Sequence, residues 1–115
     1  MSNLTGSEKR RFEKLFMLRG GYVFNFSNRT FAEFVKDSTG IDIYELKYNY
    51  RSGSEADWLC RFWTVETNHI VAKLLGDLIA HGQKINAFEY DLIYIIDECR
   101  KAITRLSQEH VVMGT

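Results

Sequence analysis

The sequence predicts an all-α fold, a compact bundle of about five helices in one domain. Three observations carry that prediction. The 115 residues contain no proline, the residue that breaks helix interiors and shapes edge strands. Apolar residues recur at i, i+3 and i+4 in successive segments, the spacing of a helix with one buried face. Capping residues and glycines punctuate those segments at their starts and stops. A chain of this length is near the usual size of a single domain. With 45% hydrophobic and 26% charged residues, it can bury a core and is not a disordered polymer. One domain over 1–115 is expected, with a loose tail at 109–115.

The first helix is expected over 6–19. Thr5 and Glu8 make a capping-box pattern, Phe12, Leu15 and Phe16 form the inward stripe, and Gly20-Gly21 supplies the stop. An apolar connector follows at 22–26, read as extended and buried because a lone strand would have no partner. Ser27 caps a second helix over 28–37. Phe26 and Phe31 stand at the two positions of a hydrophobic staple, Phe31, Phe34 and Val35 point inward, and Gly40 ends the helix. Ile41 to Glu45 reads as a loop or a single helical turn, and Tyr48 to Ser54 as loop. Ser54 caps a third helix over 55–66, with Trp58, Leu59, Phe62 and Trp63 on one stripe. Asn68 is the expected cap of a fourth helix over 69–81, closed by Gly82. The fifth helix is expected over 87–107, opened by Asn86 and Glu89 with an Ile85–Tyr90 staple. Its stripe Phe88, Leu92, Ile95, Ile96, Cys99, Ala102, Ile103 and Leu106 holds helical spacing for five turns. Ile93 and Tyr94 widen that apolar arc, so this helix is either central in the domain or pairs with another chain through the 88–106 stretch.

Charge and chemistry exclude more than they select. Fifteen basic residues balance fifteen acidic ones, which argues against a whole-surface nucleic-acid binder. The local exception is the first helix. Glu8 to Arg19 holds five basic and two acidic residues, so Lys9, Arg10 and Lys14 are candidate phosphate contacts. The ordinary reading of such a run is a solvated helix face. Cys60 and Cys99 are the only two cysteines and sit in apolar runs, as buried reduced thiols do. No apolar run is long enough to cross a membrane, and the N-terminus lacks a signal-peptide plan; the cytoplasm is the expected location. His69, His81 and His110 show no zinc-ligand spacing, no phosphate-cradling glycine loop occurs, and no cofactor is expected. Asp97 and Glu98 are adjacent on a helix and read as solvated surface. Arg105 and His110 have the R-x4-H spacing of the helical HEPN ribonucleases, in which such a pair works on a phosphodiester. The residue after Arg105 is Leu106 of the core stripe, where those enzymes tend to carry a polar side chain. Among the aromatics, Tyr48 and Tyr50 beside Arg51 are the most available for an interface.

One longer pattern is more specific. It comprises Gly21-Tyr22-Val23, the run F-S-N-R-T-F-A-E-F at 26–34, G-I-D-I-Y at 40–44, Lys47-Tyr48, Gly53-Ser54, Arg61-Phe62-Trp63 and V-A-K-L-L at 71–75. This pattern resembles the N-terminal domain of AbiJ-type abortive-infection proteins of bacteria, over a little more than half of the chain. The resemblance implies a small helical module of anti-phage proteins, non-catalytic itself. It would act by contact with a protein partner or a C-terminal effector domain, for sensing or restraint. The family often carries a basic S-K-A-x-R-L-R-x-F-W helix. Here Glu55 and Asp57 reverse its sign and only Arg61 keeps a charge of that kind. Much of the match has a structural account: Ser27 caps, Phe26 and Phe31 staple, Arg29 can pair with Glu33, and Phe34 and Trp63 belong to inward stripes. The candidate contact surface is Tyr48, Tyr50 and Arg51, with Trp58 as an exposed anchor. The alternative is a nucleic-acid-binding or HEPN-like ribonuclease domain using Arg105 and His110, or the basic first helix.

Overall fold

The computed structural model describes residues 2–44 and 54–113. Its order is five α-helices: α1 (Gly6–Leu15), α2 (Asn28–Thr39), α3 (Glu55–Val65), α4 (Asn68–Lys84) and α5 (Ile93–Met113), with short 3-10 turns at Leu18–Gly20 and Tyr90–Leu92. No strand occurs among the described residues. The all-α bundle is the fold that the helical spacing and the absence of proline predict.

The local signals place most of the starts. Thr5 and Glu8 close a reciprocal capping box on α1. Ser27 does the same on α2 with Thr30 as its partner. Ser54 accepts the amide of Asp57 at the start of α3. The Phe26–Phe31 staple forms, with ring centroids 5.9 Å apart, and Arg29 pairs with Glu33 at 3.1 Å. Gly40 ends α2 in the left-handed region at φ 78°.

The stops depart from expectation where packing overrides punctuation. The first helix ends at Leu15, short of 19, because Met17 turns left-handed at φ 62°. Gly20-Gly21 instead ends the 3-10 turn that follows. The connector at 22–26 is bent rather than extended, and only Val23 of it is buried, with Tyr22 57% exposed. Phe24 has φ 50° and its amide donates to the Phe16 carbonyl at 3.0 Å. Thr67, not Asn68, is the N-cap residue of α4.

Gly82 lies inside α4, which runs on to Lys84. The closing residue is Asn86, left-handed at φ 55°. The Ala87 amide donates to Gly82 O at 2.9 Å and the Asn86 amide to Gln83 O at 3.2 Å. This pair of bonds is a Schellman closure with asparagine in the usual glycine place. Asn86 therefore ends α4 and does not open α5. The fifth helix starts at Ile93 rather than 87, and it reaches Met113, past the expected end at 107. No glycine occurs after Gly82 until Gly114, so no glycine stops the helix at 109, and 109–113 is helix rather than the expected loose tail.

The core is continuous. α4 packs on α5 and α2, and α1 packs on α5. Phe12, Leu15, Phe16, Phe31, Leu59, Phe62, Leu74, Leu75, Leu78 and Leu106 are fully buried. The segment before α1 is tied across the top. Leu4 is buried, the Ser2 hydroxyl donates to the Trp63 carbonyl, and the Asn3 amide donates to Asn68 Oδ1 at 2.7 Å.

Candidate functional site

A groove between α1 and α3 has a volume of about 790 Å³. α1 contributes Arg10, Glu13 and Lys14, with Met17 just beyond its end, and α3 contributes Ala56, Asp57 and Cys60; Leu18 completes the lining. The spacing explains the set. Positions 10, 13 and 14 share one side of a helix that buries Phe12 and Leu15 on another, and Met17 joins them from the turn beyond its end. Arg10, Glu13, Lys14 and Asp57 are exposed at the rim. Two of the candidate phosphate contacts, Arg10 and Lys14, therefore share their groove with two carboxylates. The third, Lys9, is half-buried and does not line it.

Cys60 lies in this groove, and its environment quiets it. Burial pushes its thiol up to about 11, with Glu13 and Asp57 adding to the effect and Lys9 opposing it. Cys99, on the buried side of α5, is pushed up to about 12, again mainly by burial. Both cysteines are free. At neutral pH both are held as thiols, the less nucleophilic form.

The expected contact residues meet different fates. Tyr48, Tyr50 and Arg51 lie outside the described residues. Trp58 is not an exposed anchor: it is only 5% exposed and packs edge-on against Tyr44 at 5.3 Å. The α3 stripe puts Trp58 on the same side as Leu59 and Phe62, and the core absorbs all three. Trp58 Nε1 finds no hydrogen-bond acceptor among the described residues.

Glu55, the first residue of α3, is completely buried. The Val23 amide donates to Glu55 Oε1 at 3.1 Å, and the Ala56 amide donates to Gly21 O at 3.1 Å. The start of α3 thereby clamps the bent connector. Glu55 Oε2 has no partner among the described residues. Burial pushes the carboxyl above its ordinary range, with the Val23 hydrogen bond opposing. Of the two acidic residues that reverse the sign of α3, only Asp57 reaches the surface.

Arg105 is committed elsewhere. Its guanidinium donates to Glu8 Oε1 at 2.5 Å and to the Asn3 carbonyl at 3.2 Å. The same Glu8 oxygen accepts the Thr5 amide of the capping box, so one carboxylate both caps α1 and fastens α5 to it. His110 falls within α5, where its side chain is not among those described.

His81 has a structural setting. It stacks on Phe26 with centroids 4.8 Å apart and meets the edge of Phe34 at 5.3 Å. Asp77, one turn earlier, accepts from Ser38 and Lys73, each at 2.6 Å. Among the described residues, no group of three or more His, Cys, Asp or Glu is placed to hold a metal ion. No helix among them is long and apolar enough to cross a membrane.

The fold and groove define a small all-α module with a groove lined by apolar side chains and by charges of both signs. The chain matches no protein-family model, no curated protein and no solved structure at a significant level.

Proposed function

We propose that this chain is a non-catalytic helical module of the kind found at the N-terminus of AbiJ-type abortive-infection proteins. In this reading it works by protein contact, as sensor or effector control, in bacterial anti-phage defence. The observation that carries the contact reading is the α1–α3 groove. Its apolar floor of Met17, Leu18 and Ala56 suits side chains of a protein partner. Its rim of Arg10 and Lys14 against Glu13 and Asp57 suits a mixed-charge segment better than a phosphate backbone, which the two carboxylates repel. The raised thiols of Cys60 and Cys99 and the engagement of Arg105 with Glu8 support a non-catalytic role.

The defence reading rests on the sequence pattern at 21–75. Its test is phage plating on cells with and without the gene, and with Arg10→Glu/Lys14→Glu. Protection that vanishes in the null and weakens in the double variant supports the proposal. Plating that is the same with and without the gene contradicts it. A gel shift with RNA at low salt addresses the alternative. The proposal expects no complex. A complex that the double variant abolishes would turn the reading to nucleic-acid binding through α1.

A further inference from the structure

The segment 17–25, between α1 and α2, concentrates backbone that is held under strain. Among the described residues, three non-glycine residues have positive φ, and two of them bracket this segment: Met17 at 62° and Phe24 at 50°. The third, Asn86, is of a type that enters the left-handed region readily. A methionine or a phenylalanine does so rarely and at a cost in energy. Gly21, at φ 87°, is the pivot between them. Burial offsets only part of that strain. Leu18 and Val23 are the buried members of the segment among the described residues, and Phe24 is half-buried, edge-on to Phe16 at 5.5 Å. Three hydrogen bonds pin the segment to the bundle. The Phe24 amide donates to Phe16 O at 3.0 Å, the Ala56 amide to Gly21 O at 3.1 Å, and the Val23 amide to Glu55 Oε1 at 3.1 Å. The third pin is an imperfect one. It is a completely buried carboxyl whose other oxygen has no partner among the described residues, so release restores solvation that the closed state lacks.

We propose that segment 17–25 is a strained strap that opens as a unit while the rest of the bundle stays folded, with Glu55 as its latch. Strain, sparse burial and an imperfectly satisfied pin fall together in this one stretch, which places it at the low-stability end of the molecule. The strap also shapes the α1–α3 groove. Met17 and Leu18 line that groove, and so does Ala56, whose amide holds the strap at Gly21. Met17 is at the same time a wall of a second hollow of about 290 Å³, which it shares with Phe24, Asn25 and Ile85. Opening removes the wall common to the two hollows and lengthens the groove. The device is independent of whether the groove takes a protein partner.

Native-state hydrogen exchange on the intact chain tests this. The Phe24 and Ala56 amides report the two edges of the strap, and neither bonds to Glu55. They are expected to share one opening constant, about 100-fold or more above that of the Leu75 and Leu78 amides of α4. Met17→Gly keeps the turn without the strain and should lower that constant about threefold or more. Glu55→Ala leaves the Val23 amide unpaired and should raise it about tenfold or more. Glu55→Gln keeps an acceptor for Val23 and should not raise it. Strap amides that exchange only together with Leu75 and Leu78, in global unfolding, overturn the proposal. So do different opening constants at Phe24 and Ala56, or a Met17→Gly or Glu55→Ala variant that opens as the wild type does. The wild-type comparison decides alone if Glu55→Ala does not fold.

Discussion

Two aromatic clusters sit within a dozen residues of each other and behave in opposite ways. At the end of α4, Phe88 lies against Gly82 and meets Phe24 edge-on at 5.6 Å. Two residues later Tyr90 is 89% exposed, and Tyr94 follows it into solvent. Phe88 and the group Tyr90, Ile93 and Tyr94 belong to one apolar stretch of the sequence. The first has a notch: a Cβ on Gly82 would stand 2.6 Å from Phe88 Cε2 and 2.9 Å from Phe24 Cζ. The second is not covered by any described part of the chain. Periodicity says which residues share a side of a helix, and only tertiary packing says which side is covered.

Substitutions can break or sharpen this contrast. The largest effect is expected at the core that supports the first cluster. Trp63 is 2% exposed and packs on Phe12 with centroids 6.4 Å apart; Trp63→Ala should cost about 3–5 kcal/mol in urea unfolding. Gly82→Ala forces a methyl group into the rings of Phe24 and Phe88 and should cost about 1–3 kcal/mol. At Gly76, earlier on the same helix, an added Cβ would meet nothing within 4 Å. Gly76→Ala should therefore stabilise by about 0.5–1 kcal/mol. Opposite signs for the two glycines would confirm the notch, and equal signs would remove it.

Glu55 gives a test by pH. Its folded-state carboxyl is raised above the ordinary value by burial. The stability it contributes is therefore fully present below the ordinary carboxylate range and is lost as pH rises through the raised value. Glu55→Gln removes that ionisation. The variant should gain stability relative to the wild type as pH rises from about 4 toward 7. A difference between the two that stays flat with pH would mean that Glu55 ionises in the fold as it does in water.

The helix count and most helix starts are legible in the sequence because caps and staples are local. Thr5 with Glu8, Ser27, Ser54, and Phe26 with Phe31 act within one turn, so their chemistry is written in neighbouring residues. The stops are less legible. Gly82 reads as a terminator and is a packing notch, while Asn86 reads as a starter and closes the preceding helix. The α1–α3 groove is legible only in part. Arg10 and Lys14 stand out by charge, but their opposition to Asp57 arises between helices more than forty residues apart. Glu55 escapes a reading of the sequence because a charged residue at a helix start normally faces water, and no local signal reveals the connector that buries it. Trp58 is misplaced for the converse reason, since its stripe is legible and its covering by Tyr44 is not.

The smallest expected effect falls on the second cluster, and it tests the account most directly. The triple variant Tyr90→Ser/Ile93→Ser/Tyr94→Ser should unfold in urea within about 0.5 kcal/mol of the wild type, both measured dilute enough that association contributes nothing. That result would show three large apolar side chains that the fold does not need. A loss of about 2 kcal/mol or more would place them in the core and contradict the account.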